Sequence, residues 1–165
     1  KFPGEKPTLS DWANHLSTIF PEVRLKRYLE MRGADGVPLQ QLPALPAFWA
    51  GLLYDDVSLD AAWDIAREWD TATRQAMRDA VPRLGFKTPV GKRYIFEVAR
   101  ECLVLAHAGL RRRARVDHLG RDESRFLEPL DRIIDAGRTP AEEMLTKFNG
   151  VWGGSVDPVY DAYAF

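Results

Sequence analysis

Between Glu22 and Arg32 the residue types alternate: Glu22, Arg24, Lys26, Tyr28, Glu30 and Arg32 share one parity, and Val23, Leu25, Leu29 and Met31 share the other, with Arg27 the exception. A period of two places the sets on opposite faces of a strand, so the pattern predicts one strand over 22–32 with a polar and an apolar face. Two residues of rise put Glu30 and Arg32 about 7 Å apart on the same side. A carboxylate and a guanidinium so placed can serve one phosphate. Mg²⁺ reaches nucleotide phosphates through one or two protein carboxylates while keeping several waters, and arginine binds phosphate or carboxylate through a planar fork. Glu30 is therefore the candidate metal ligand and Arg32 the candidate catalytic cation. Arg24, Lys26 and Tyr28 are candidates for cofactor binding because they share the polar face. The same six residues also describe a solvated strand face laced with cross-strand ion pairs, and from residue types alone that is the preferred reading.

Other chemistry-bearing residues carry weaker signals. Arg111, Arg112, Arg113 and Arg115 would suit a nucleic-acid contact, but cations also complement a helix C-terminus. Cys102 sits in an apolar helical stretch, where a thiol is a small core residue and not a nucleophile. His15, His107 and His118 have no metal-ligand spacing. Gly150-Val151-Trp152-Gly153-Gly154 lacks the Lys-Ser/Thr ending of a phosphate loop and reads as a turn before the last helix.

The elements that must position the polar strand are mostly helical. Thr8 and Asp11 form a capping-box pattern ahead of a short helix from Trp12 to Leu16. Gly33 to Pro38 ends the strand, and everything downstream reads as helix. Ala44 to Tyr54 is a compact apolar run. Leu59, Ala62, Trp63, Ala66 and Trp69 follow at helical spacing, with Ser58 as the expected N-cap. Residues 72–84 have a weaker helical pattern. Lys92 to Arg113 is a long helix whose stretch Ile95–Leu105 is expected at the centre of the core. Residues 126–134 make another amphipathic helix, and Thr139-Pro140-Ala141-Glu142 caps one more. The inventory is α+β with helices dominant: one strand and about seven helices. A lone strand leaves unpaired backbone groups on both edges, so its partners are expected in another part of the protein or another chain.

The 165 residues are 45% apolar, enough for a sizeable core, and no linker or repeat divides them, so 1–165 reads as a single segment. Lys and Arg total 23 against 24 Asp and Glu, which favours neither nucleic acid nor an anionic membrane as partner. One cysteine permits no internal disulfide, and the expected compartment is a reducing cytoplasm. Lys1-Phe2-Pro3-Gly4 has no signal-like apolar region, and no apolar run is long enough to span a bilayer.

Residues 23–35, ending Tyr28-Leu29-Glu30-Met31-Arg32-Gly33-Ala34-Asp35, resemble the YLEMRGAD block of plant and proteobacterial glutamate–cysteine ligases. His15–Glu22 before it and Leu45–Asp55 after it resemble flanking blocks in the same order, as do Gly137–Glu143 and Ser155–Tyr160 near the end. The resemblance implies the C-terminal segment of a glutamine-synthetase-like antiparallel-sheet ligase fold, with the N-terminal part of the same enzyme as partner and Phe165 as the natural end. It implies ATP and Mg²⁺ as cofactors, glutamate and cysteine as substrates, and reaction through γ-glutamyl phosphate, with this segment inactive alone. It also assigns Glu30 to metal and Arg32 to an anion. The plant form is expected to carry a tryptophan near Leu39 and a cysteine near Pro43. Neither stands here, which argues against disulfide control of that kind. Two alternatives remain open: a sister γ-glutamyl ligase with another amine acceptor, and a non-catalytic helical module that recruits a partner through its strand edge.

Overall fold

A computed structural model describes residues 4–163; the residues at either end used in the sequence reading, Lys1–Pro3 and Phe165, lie outside them. The chain divides into two compact units, one ending at Gly36 and the other starting at Val37. Each is described separately.

The first unit holds helix α1 (Leu9–Ser17) and two short strands, β1 (Val23–Leu25) and β2 (Leu29–Met31). The capping box is present: the Thr8 hydroxyl accepts from the Asp11 amide, and the Asp11 carboxylate accepts from the Thr8 amide at 2.7 Å. The expected single strand 22–32 is instead an antiparallel hairpin that turns at Lys26-Arg27-Tyr28, pairing Val23 with Met31, Arg24 with Glu30 and Leu25 with Leu29. The Lys26 amide donates to the Tyr28 carbonyl at 2.9 Å, and the Arg32 amide to the Glu22 carbonyl at 2.8 Å. Arg27, the one break in the alternation, falls at the turn. The strand's partner is thus its own second half. In this register even-numbered residues oppose even-numbered ones, so both halves keep their polar residues on one face and their apolar residues on the other.

The second unit is helical, as the dominant α character predicts, and starts with α2 (Ala44–Leu53), α3 (Asp56–Ala66) and α4 (Thr71–Leu84). A small hairpin of β3 (Pro89–Val90) and β4 (Arg93–Tyr94) leads into α5 (Ile95–Arg113). A 3₁₀ turn then leads to α6 (Glu128–Ala136), followed by α7 (Pro140–Asn149) and α8 (Pro158–Ala162). The β3–β4 hairpin departs from the all-helical expectation: Lys92 and Gly91 form its turn, so α5 begins only at Ile95. The core gathers Ala47, Leu52, Leu103, Ala106, Leu110 and Leu127, with Phe48, Trp49 and Ile134 packed around it. Its centre lies about two turns closer to the end of α5 than the expected Ile95–Leu105.

That shift has a steric cause. A Cβ built on Gly51 would stand 2.3 Å from the Ala106 carbonyl oxygen, and one built on Gly109 would stand 1.9 Å from the Gly51 carbonyl oxygen. Helices α2 and α5 therefore cross backbone to backbone, with Ala47 and Ala106 as further small residues at the contact. Alongside, Ser58 is fully buried within α3 and donates from Oγ to the Leu105 carbonyl at 2.8 Å. It is not the N-cap expected of it. Asp55 fills that role, accepting from the Ser58 amide at 2.9 Å. The same carboxylate receives Arg112 Nη2 at 2.6 Å, and Arg112 also donates to Ser58 Oγ at 2.8 Å, which ties α3 to the end of α5. The Arg112 hydrogen bond, followed by the Ser58 amide, holds the Asp55 carboxyl well below the usual carboxylate range.

Two outcomes follow for stability. Gly109→Ala forces the helices apart and should destabilise the fold by about 3 kcal/mol in chemical denaturation, at the upper end of overpacking costs. Because the folded-state pKa of Asp55 is depressed, its contribution is present above the unfolded carboxylate range and is lost as pH falls below it. The melting temperature should therefore begin to fall near pH 5 and keep falling below pH 3, toward the depressed folded-state value, and fall less in Asp55→Asn.

Candidate functional site

The hairpin decides what the polar residues can do together. In a continuous strand Arg24 and Glu30 would lie about 20 Å apart; folded back, they are direct cross-strand neighbours. Arg24 Nε donates to Glu30 Oε2 at 2.7 Å, and Arg32 Nη1 lies 3.7 Å from the same oxygen. One carboxylate oxygen is shared by two guanidinium groups. Among the described residues the side-chain hydrogen bond to Glu30 goes to Oε2, not Oε1. The Arg24 hydrogen bond, reinforced by the charges of Arg24, Arg32 and Lys26, holds the Glu30 carboxyl below its ordinary value against a smaller opposing effect of burial.

Arg32 is also held from its other side, since its guanidinium stacks 4.8 Å from the centre of the Phe20 ring. Sequence reasoning did not select Phe20; the only signal was its place in the block before the strand. The side chains of Arg24, Arg32 and Glu30 are 23%, 25% and 33% exposed, so the trio is partly desolvated yet reachable from solution. Lys26 and Tyr28 share the face but stand exposed at the turn. The structure thus brings Arg24, Glu30 and Arg32 together and leaves Lys26 and Tyr28 at the periphery. For a metal, Glu30 Oε1 is the available donor. No group of three or more His, Cys, Asp or Glu side chains able to hold a metal occurs among the described residues, so further ligands would have to come from bound phosphate, water or another part of the protein.

The weaker candidates resolve into structural roles. Arg112 pairs with Asp55 and Arg113 with Glu123. In the following loop Arg121 and Arg125 converge on Asp117, whose carboxyl is lowered to about 2, chiefly by the Arg121 amide. Arg112 and Arg113 of the helix-end run, and Arg121 and Arg125 after it, are matched by carboxylates. Burial pushes the Cys102 thiol up, away from the reactive thiolate. His107 Nε2 bonds Asp131 at 2.8 Å and joins α5 to α6. No helix among the described residues is long and apolar enough to cross a membrane.

The helix-dominated α+β character is what the ligase resemblance leads one to expect, and comparison with known proteins agrees on the family. Residues 3–162 match Glutamate-cysteine ligase family 2 (GCS2), and the chain belongs to that family. It is 54% identical over 96% of its length to the chloroplastic glutamate–cysteine ligase of Arabidopsis thaliana, and 50% identical over 96% to that of Nicotiana tabacum. It is 52% identical, again over 96%, to glutamate–cysteine ligase A of Oryza sativa subsp. indica. The chain spans 29%, 29% and 31% of these relatives.

The shared oxygen makes a direct prediction. Removing Arg24 should raise the Glu30 pKa toward the ordinary carboxylate range, and removing Arg32 should raise it less, as followed by NMR titration of the Glu30 side chain. Equal shifts would show that the 2.7 Å hydrogen bond is not the leading cause.

Proposed function

We propose that this chain is the C-terminal part of an ATP-dependent ligase that joins the γ-carboxylate of glutamate to the amine of cysteine, and that its polar hairpin forms part of the phosphate-handling face. The observation that carries the reading is the Glu30 carboxylate lying between Arg24 and Arg32 within the YLEMR segment. Family membership and the names of the relatives support the reaction class.

The reaction transfers the γ-phosphoryl group of ATP to a γ-carboxylate oxygen of glutamate, releasing ADP. The cysteine amine then attacks the acyl carbon, a C–N bond forms, the C–O bond to phosphate breaks, and the amine proton leaves. Charge collects on phosphoryl oxygens in the first step and on the departing phosphate in the second. Fixed guanidinium groups that need no reorganisation are suited to both. Arg32, braced by Phe20, supplies such a group, and Arg24 supplies a second across the hairpin. Glu30 Oε1 offers one donor to Mg²⁺, which when bound would neutralise phosphate charge.

The apolar face of the hairpin supports the partner assignment. Val23, Leu25 and Leu29 are 48%, 80% and 56% exposed, and no residue described in this unit is buried. Apolar strand faces of this kind are stable when covered, and the relatives are long enough to supply a cover. We assign that role to the N-terminal part of the same enzyme. The N-terminal part would also supply the other metal-binding carboxylates, so the 165-residue chain alone should show no turnover.

The test is ATP-dependent γ-glutamylcysteine formation by the complete ligase carrying this segment. With folding matched by circular dichroism, Glu30→Gln and Arg32→Ala should each lose on the order of 10²–10³-fold in kcat, the range for removing one preorganised charge-stabilising group. Full activity in both would remove the hairpin from the site.

A further inference from the structure

We infer that Glu30 is a built-in competitor for the anion subsite it adjoins: its carboxylate occupies the place that a phosphate group takes between Arg24 and Arg32, and must let go before that group can bind. The inference deepens the phosphate-face reading above and rests on it.

The geometry is that of a stand-in ligand. A single oxygen, Glu30 Oε2, meets Arg24 Nε at 2.7 Å and Arg32 Nη1 at 3.7 Å. Two planar forks sharing one oxygen leave most of their donors unsatisfied by Glu30, whereas a phosphate presents several oxygens and can engage both forks at once. Arg32 is held independently of Glu30 by stacking on Phe20, and the register of the hairpin places Arg24 directly across from Glu30. Arg32 therefore stays at the subsite when Glu30 moves. Between Glu22 and Arg32 stand four cations and two carboxylates, so the surroundings favour an anion even while Glu30 is engaged.

The consequence is a linkage. In the resting state an anion must displace a carboxylate already paired with both cations, which weakens binding of free phosphate. Anything that draws Glu30 away, as a divalent cation at its Oε1 would, releases both guanidiniums for phosphate. Metal and phosphate would then favour each other's binding by the same factor, as linkage requires. The hairpin would discriminate against uncomplexed phosphate without needing a separate gate.

The test is metal-free. Isothermal titration of the complete ligase carrying this segment with inorganic pyrophosphate in EDTA should show weak binding by the wild type and about tenfold tighter binding by Glu30→Gln and Glu30→Ala. Adding Arg32→Ala to Glu30→Gln should abolish the gain. Equal or weaker binding by both folded Glu30 variants overturns the inference. A wild-type measurement keeps the test independent of variant folding: saturating pyrophosphate should shift the Arg24 Nε resonance and raise the Glu30 pKa, and no change in either refutes displacement. The phosphate-face reading fails differently. If Glu30→Gln gains pyrophosphate affinity while the complete ligase carrying it keeps full activity, the competition is real but the catalytic assignment is not.

Discussion

The backbone crossing of α2 and α5 is the constraint on which the helical unit depends. Gly51 and Gly109 have no room for a side chain, because each faces a carbonyl or backbone of the opposite helix. Close approach of this kind places Ala47, Leu52, Leu103, Ala106 and Leu110 in one continuous core, and Leu127 joins them from the 3₁₀ turn before α6. It also brings the first turn of α3 near the end of α5. Only there can Ser58, buried without charge, satisfy the Leu105 carbonyl while accepting from Arg112.

A second theme is the use of guanidinium–carboxylate pairs to close the structure where the chain reverses. Arg112 with Asp55, Arg113 with Glu123, and Arg121 and Arg125 with Asp117 all join residues across a turn or between elements. Two of the four arginines that look like a basic patch in the sequence, Arg112 and Arg113, are spent in this way. The hairpin trio differs in one respect. Its carboxylate accepts a side-chain hydrogen bond through one oxygen only and caps no helix, which gives the same type of pair a capacity for exchange that the Asp55 network, tied to both a helix cap and a buried serine, does not have.

Much of the local structure was legible because its causes are local. The capping boxes at Thr8–Asp11 and Thr139–Glu142 need only residues three apart. The boundaries of α2 and the alternation of 22–32 likewise follow from short-range spacing. Ser58 was misread for a related reason: Asp55 and Ser58 both favour caps, and the choice between them was made by burial against α5, which local pattern does not contain. The Lys92 start of the long helix failed because a two-residue strand pair carries too few residues to show a period.

The sequence by itself determined which residues share the polar face, since the parity of 22–32 survives whether the segment runs straight or folds back, and it determined the family through ordered blocks of residue types. Tertiary structure decided what that face can do. Reversal at Lys26–Tyr28 turns residues six positions apart into direct neighbours, and so converts a row of alternating charges into two guanidiniums around one carboxylate. Electrostatic energy depends on distance through space, and a strand's period fixes direction but not distance. The same holds for the core: composition supplied the apolar residues, but the steric need for two facing glycines fixed where along α5 they converge.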